Sequence, residues 1–157
     1  MINALHPRIL GYLGRALSLE LSAVQQYMTQ ASLVALWGEQ EAAQRFRNET
    51  VEEMQHAEKI VKRMLESGVV PSASQLRPVS IASDLVGLLK QNIDFEADLI
   101  SHYSEAVLFC RSIGDQSNID FFQDLFNDEK QHGTELSQWL HELKPSQPQT
   151  SIQRASF

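Results

Sequence analysis

Glu-Glu-Met-Gln-His at residues 52–56 returns 76 positions later as Asp-Glu-Lys-Gln-His at residues 128–132. Each copy has a glutamate 33 positions before its second acid: Glu20 precedes Glu53 and His56, and Glu96 precedes Glu129 and His132. The same register pairs Tyr27 with Tyr103, Gly38 with Gly114 and Phe46 with Phe122. A repeat that preserves carboxylates and imidazoles, and not only apolar residues, points to a pseudo-symmetric site for two similar occupants. Two metal ions are the simplest such pair.

Around these motifs the chain reads as helix throughout. Apolar residues recur at helical spacing over about 5–36, 40–67, 82–112 and 117–143. Trp37-Gly38, Ser67-Gly68 and Ile113-Gly114 close the first three segments, glycine supplying the left-handed cap. Pro145 opposes continuation of the fourth. Short links after the first and third segments predict two antiparallel hairpins, and the connection of about 14 residues between the second and third is long enough to run back along them. The expected fold is an all-α four-helix bundle with one long crossover over residues 1–144. Residues 145–157 form a Pro/Gln/Ser-rich tail.

The stripes put Glu20, Glu53, His56, Glu96, Glu129 and His132 on buried helix faces. Four carboxylates in an apolar interior repel one another and each costs several kcal/mol unpaired, so something must neutralise them. Two divalent cations match four carboxylates in charge, and neutral imidazoles bind without adding any. Residues three apart share a helical face, so each Glu-x-x-His pair can reach one ion. Each half then offers one terminal glutamate, one glutamate able to bridge both ions, and one histidine. Oxygen-rich ligation with a single histidine per metal suits iron or manganese better than structural zinc. A single Glu-x-x-His on a helix is common and would more often be a solvated face; the second copy, in register and with its own upstream glutamate, decides for metal.

Weaker candidates surround the six. Glu52 and Asp128 stand where each can accept the second N–H of an imidazole on the opposing helix, with a solvated charge as the rival reading. Tyr27 and Tyr103 lie two turns beyond Glu20 and Glu96; Tyr27 reads as a partner of a ligand carboxylate or an electron donor ahead of simple packing, while for Tyr103 that role and simple packing stand equal. Trp37 and Trp139 read as core or interface aromatics.

The whole chain limits the remaining options. With 157 residues, 43% hydrophobic and 21% charged, it reads as one globular domain. A net charge of −7 without a local Lys/Arg cluster argues against a nucleic-acid surface. No membrane span is expected, and the N-terminal residues lack a signal-peptide pattern, which makes the cytosol the expected compartment. The single cysteine, Cys110, excludes an internal disulfide and reads as a small core residue.

Leu-Glu-Leu-Ser-Ala-Val-Gln-Gln-Tyr (19–27), Trp37-Gly38, Glu-Glu-Met-Gln-His-Ala-Glu (52–58), Glu96 and Asp-Glu-Lys-Gln-His (128–132) resemble a bacterioferritin of the ferritin-like superfamily over residues 5 to about 143. The resemblance implies a ferroxidase centre: Glu20, Glu53 and His56 on one iron, Glu96, Glu129 and His132 on the other, with Glu53 and Glu129 bridging. It also places Met54 at the family's haem ligand, one methionine from each of two subunits holding haem b across a twofold interface. The implied partners are Fe(II), dioxygen or peroxide, further copies of the chain as a dimer or 24-subunit cage, and a reductase or ferredoxin for iron release.

Two positions depart from the family. The fifth helix that lines cage pores is absent or atypical, since Pro145, Pro148 and a Ser/Gln-rich tail stand in its place, and Asn48 replaces a histidine thought to assist iron on the inner surface. These departures argue against a complete cage and leave the dimer expected, while the complete ligand set makes the expected function an iron-storage ferroxidase that oxidises Fe(II) to Fe(III). Its rivals are a non-cage di-iron or iron/manganese oxidase acting on an organic substrate, and a helical interaction module with the tail as docking peptide.

Overall fold

Four long helices account for most of residues 4–143, the part of the chain that the computed structural model describes. They are α1 (Pro7–Leu36), α2 (Gln40–Glu66), α3 (Leu85–Ser112) and α4 (Gln116–Glu142), and the described residues contain no strand. The tail from 144 onward, and with it the fifth-helix question, lies outside the described residues.

Local chemistry sets the ends. Pro7 opens α1 where its missing N–H is no loss, and His6 Nδ1 accepts from the Arg8 N–H at 3.1 Å. Expected to begin near 82, α3 starts instead at Leu85, because Asp84 caps it by accepting from the Gly87 N–H at 2.7 Å. At the hairpin turns Gly38 (φ +84°) and Gly114 (φ +70°) are left-handed. The next residue of each turn reaches back five positions, Glu39 N–H to Val34 C=O at 2.9 Å and Asp115 N–H to Cys110 C=O at 3.0 Å. All of these equivalent residues are 76 apart, so the repeat extends into turn geometry.

The later start of α3 makes the crossover, residues 67–84, longer than expected. It lies along α1 on a ladder of polar side chains. Gln75 N–H donates to Ser18 Oγ (3.1 Å), Arg77 N–H to Ser22 Oγ (2.9 Å) and Ser80 N–H to Gln26 Oε1 (3.2 Å), while Gln30 Nε2 donates to Ser80 C=O (2.9 Å). Four residues of helix advance about 6 Å and two residues of extended chain about 6.6 Å, so an i, i+4 row on α1 can serve amides two or three residues apart in a passing extended segment. Asn92 on α3 joins the same network, accepting from Gln26 Nε2 (2.8 Å) and donating to Gln30 Oε1 (2.6 Å). That buried amide cluster pins the register of α1 against α3.

Two aromatic clusters close the core. Tyr27, Phe46 and Trp139 pack at a tilt at one end, with ring centroids 6.1 and 5.2 Å apart, and Arg45 lies 3.7 Å over Trp139. Tyr103 and Phe122 sit 6.3 Å apart at the other, and Arg63 lies 5.2 Å over Phe121. Positions 45 and 121 are equivalent in the repeat, as are 63 and 139, so the cation–π pair survives with its two roles exchanged. Cys110 is buried. Among the described residues no helix is long and apolar enough to cross a membrane.

Candidate metal centre

Each helix contributes to one layer between the aromatic clusters. Glu20 comes from α1, Glu53 and His56 from α2, Glu96 from α3, and Glu129 and His132 from α4. The four glutamates are fully buried and the histidines are nearly so. Their donor atoms form two overlapping groups, Glu20, Glu53, His56 and Glu129 in one and Glu53, Glu96, Glu129 and His132 in the other. Glu53 and Glu129 belong to both.

The shared glutamates divide their oxygens between the two imidazoles. His56 Nδ1 lies 2.7 Å from Glu129 Oε1 and 3.5 Å from Glu53 Oε2. His132 Nδ1 lies 2.9 Å from Glu53 Oε1 and 3.3 Å from Glu129 Oε2. None of these close approaches has hydrogen-bond geometry. Both oxygens of Glu53 and Glu129, Oε2 of Glu20 and Glu96, and Nδ1 of both histidines are buried without a hydrogen-bond partner. Each such atom costs about 1–3 kcal/mol, more when charged, and all converge on one space. Four carboxylates and two imidazole nitrogens so arranged fit a pair of divalent cations.

Outer contacts hold the donors in place. His132 Nε2 is 2.6 Å from Glu52 Oε2 and His56 Nε2 is 3.2 Å from Asp128 Oδ2, so the two acids hold the ring protons outward and turn Nδ1 to the centre. Tyr27 donates to Glu96 Oε1 at 2.5 Å, and Tyr103 donates to Glu20 Oε1. Burial, then the charge of Glu96 for Tyr27 and of Glu20 for Tyr103, raises both phenols well above their usual range and keeps them donors.

Protons balance the cluster when no metal does. Burial and the neighbouring charge of Glu53 raise Glu20, and burial with the charges of Glu53 and Glu129 raises Glu96. Burial alone would also raise Glu53 and Glu129, but contact with Glu20 and then with both imidazoles outweighs it for Glu53, as contact with the imidazoles does for Glu129, and both are held below the ordinary range. Burial likewise works against charge on the imidazoles. Contact with Glu129 and Glu53 overcomes it, taking His132 to about 12 and His56 upward in the same way. Two imidazoliums, two carboxylates and two carboxylic acids are together neutral, as are two divalent cations with four carboxylates and two neutral imidazoles.

Residues 10–145 match the ferritin-like domain family. Bacterioferritin of Brucella melitensis is 32% identical over 126 residues, 80% of this chain and 78% of that one. The Rhodobacter capsulatus bacterioferritin is 33% identical over 125 residues, again 80% and 78% of the two chains. The chain belongs to the bacterioferritins. A solved structure of the Rhodobacter capsulatus protein, described as having a metal-free dinuclear site and a haem iron, superposes with a TM-score of 0.85 at 30% identity, covering 88% of this chain and 87% of that one. The Mycobacterium tuberculosis bacterioferritin BfrA superposes at 0.83 with 26% identity and the same coverage. Family membership carries an iron-storage role of the ferritin kind.

Other positions of this bacterioferritin chain bear on that role. Met54 is 47% exposed and lines an apolar recess of about 600 Å³ with Leu17, Leu21, Val61, Leu65 and Pro71. Between α2 and α4 a polar cavity of about 280 Å³ reaches His56 and His132 past Glu52, Lys59, Asp128 and Glu135. Asn48 is exposed and accepts from Gln44 Nε2 at 3.0 Å. Trp139 is buried and Trp37 half-buried.

Glu49 had no role in the sequence reading. Its Oε2 is buried without a hydrogen bond, 3.7 Å from His132 Nδ1, and with Glu52 and His132 it forms a third group of potential ligands. Burial raises its carboxyl to about 7. The available signal was an acid on the apolar stripe of α2, one turn before Glu53. The repeat gives it no acidic counterpart, since the equivalent position is Leu125.

Proposed function

We propose that the chain is a ferroxidase that binds two Fe(II) ions as substrate at Glu20, Glu53, His56, Glu96, Glu129 and His132, oxidises them and delivers Fe(III) to storage. The observation that carries this reading is the division of both Glu53 and Glu129 between the two imidazoles, one oxygen to each. Bridging carboxylates hold two ions near enough to share an oxidant. Two Fe(II) release two electrons, which with two protons convert dioxygen to hydrogen peroxide or peroxide to two waters. Glu20 and Glu96 are terminal ligands, Tyr27 holds Glu96, and Glu52 and Asp128 set the imidazole tautomers.

The polar cavity between α2 and α4 suits ions and small oxidants and gives an organic substrate no apolar bed, which favours storage over the organic-substrate oxidase. The apolar recess at Met54 supports haem b held between two copies of the chain. Such an assembly works in the cytosol, as a dimer or a larger cage, and takes electrons from a reductase or ferredoxin to release iron. Both assignments are tested directly. Fe(II) is added to metal-stripped protein in air and Fe(III) formation is followed by absorbance. Wild type should oxidise two Fe(II) per chain in a fast phase that Glu20→Ala and Glu129→Ala lose, and equal rates in all three proteins would defeat the assignment. A haem absorption band should disappear in Met54→Leu.

A further inference from the structure

We infer that Tyr103 is a positioning residue of the metal centre: it occupies one oxygen of Glu20, so that this terminal glutamate offers a metal ion one oxygen and not two. The inference rests on the two-metal reading above. Tyr103 and Glu20 face each other across the bundle from α3 and α1, and Tyr27 and Glu96 make the reverse contact from α1 and α3. In both contacts the phenol takes Oε1 and leaves Oε2 buried without a partner. In Glu20 that free oxygen faces His56 Nδ1 at 3.7 Å, on the side of the shared space.

The contrast with the other two glutamates gives the arrangement its meaning. Glu53 and Glu129 receive no phenol, both oxygens of each are unpartnered, and each oxygen faces a different imidazole. Carboxylates able to bridge keep two free oxygens, while those at the ends keep one. A terminal carboxylate free to rotate can chelate through both oxygens and fill a coordination position. A phenol on Oε1 holds the carboxylate against that rotation and draws on the oxygen's electron density, which disfavours chelation and would leave that position for an oxidant on each ion.

Packing holds the Tyr103 hydroxyl to this task. The ring is fully buried against His102 and Phe122, with centroids 5.8 and 6.3 Å away. On the other side Tyr27 packs on Phe46, the equivalent of Phe122 in the repeat. The two halves therefore use the same device, and Tyr103 is as much a part of the centre as Tyr27.

The test uses Co(II), whose visible d–d absorption weakens as coordination number rises. Wild-type protein is stripped, loaded with two Co(II) per chain, and compared with Tyr103→Phe, Tyr27→Phe and the double variant. Removing the Tyr103 hydroxyl should let Glu20 chelate one of the two ions, lowering the absorption per chain by up to about half, with Tyr27→Phe doing the same at the other ion and the two losses adding. A merely structural hydroxyl would shift thermal stability and leave the spectrum alone. An unchanged spectrum in Tyr103→Phe overturns the inference, as does a change in Tyr27→Phe alone. A second readout needs no variant. Infrared difference spectra of loaded minus stripped wild type should contain the wide antisymmetric-to-symmetric carboxylate splitting of single-oxygen ligation, and its absence also overturns the inference. Failure of wild type to take up two Co(II) would instead count against the metal-centre reading itself.

Discussion

Loading the centre should expel protons, and the number follows from the charge balance. The stripped cluster is neutral because His56 and His132 are held protonated by Glu129 and Glu53, while burial and neighbouring charge keep Glu20 and Glu96 as acids. A metal ligand must give up its proton, so two imidazoliums and two carboxylic acids each lose one. About four protons should therefore leave per pair of ions at pH 6. By linkage, the product of the two binding constants should fall by about four powers of ten for each unit of pH decrease in that region. The direction is fixed: acid opposes loading and base favours it. Calorimetric titration with Co(II), which avoids the protons released by ferric hydrolysis, in buffers of different ionisation enthalpy measures the number directly. Two or fewer protons per pair would refute the reasoning, since the stripped core would then hold net negative charge with nothing to offset it.

Further outcomes follow from single residues. Glu49 is 16% exposed and its carboxyl is raised from 4.5 to about 7, so its contribution to stability is full below pH 4.5 and is lost as pH rises to about 7. Glu49→Gln, which does not titrate, should match wild type in urea unfolding of stripped protein near pH 4.5 and exceed it by up to about 3 kcal/mol at pH 8; equal stability at both pH values would show the group to be unshifted. Asn92→Ala strips partners from Gln26 and Gln30 in a buried site and should cost about 3 kcal/mol. A loss below about 1 kcal/mol in the same assay would mean that packing alone sets the α1–α3 register.

Much of the bundle was legible because helix formation is local. Gly38, Gly68 and Gly114 marked turns that need positive φ, and the structure has all three there. The start of α3 was misplaced by three residues because an Asp84 cap outranks apolar periodicity at a helix end. The polar row Ser18, Ser22, Gln26 and Gln30 was present in plain i, i+4 spacing. Its purpose was not legible, because the backbone groups it serves lie 50 or more residues away. Glu49 stands on the apolar stripe of α2, which is legible, but its contact with His132 depends on the approach of α4, which no local pattern reports.

Spacing by itself determined which side chains share a face. Three residues on a helix turn through nearly a full circle, so Glu53 with His56 and Glu129 with His132 were bound to project together wherever the helices went. Tertiary structure decided everything that depends on two helices meeting. The gap between α2 and α4 assigns each oxygen of Glu53 and Glu129 to its imidazole and brings Glu52 and Asp128 behind the opposite rings. The approach of α1 to α3 lets Tyr27 and Tyr103 reach across to each other's glutamates. Those choices are distances between backbones far apart in the chain, set by how the apolar faces pack, and a one-dimensional pattern holds no record of them.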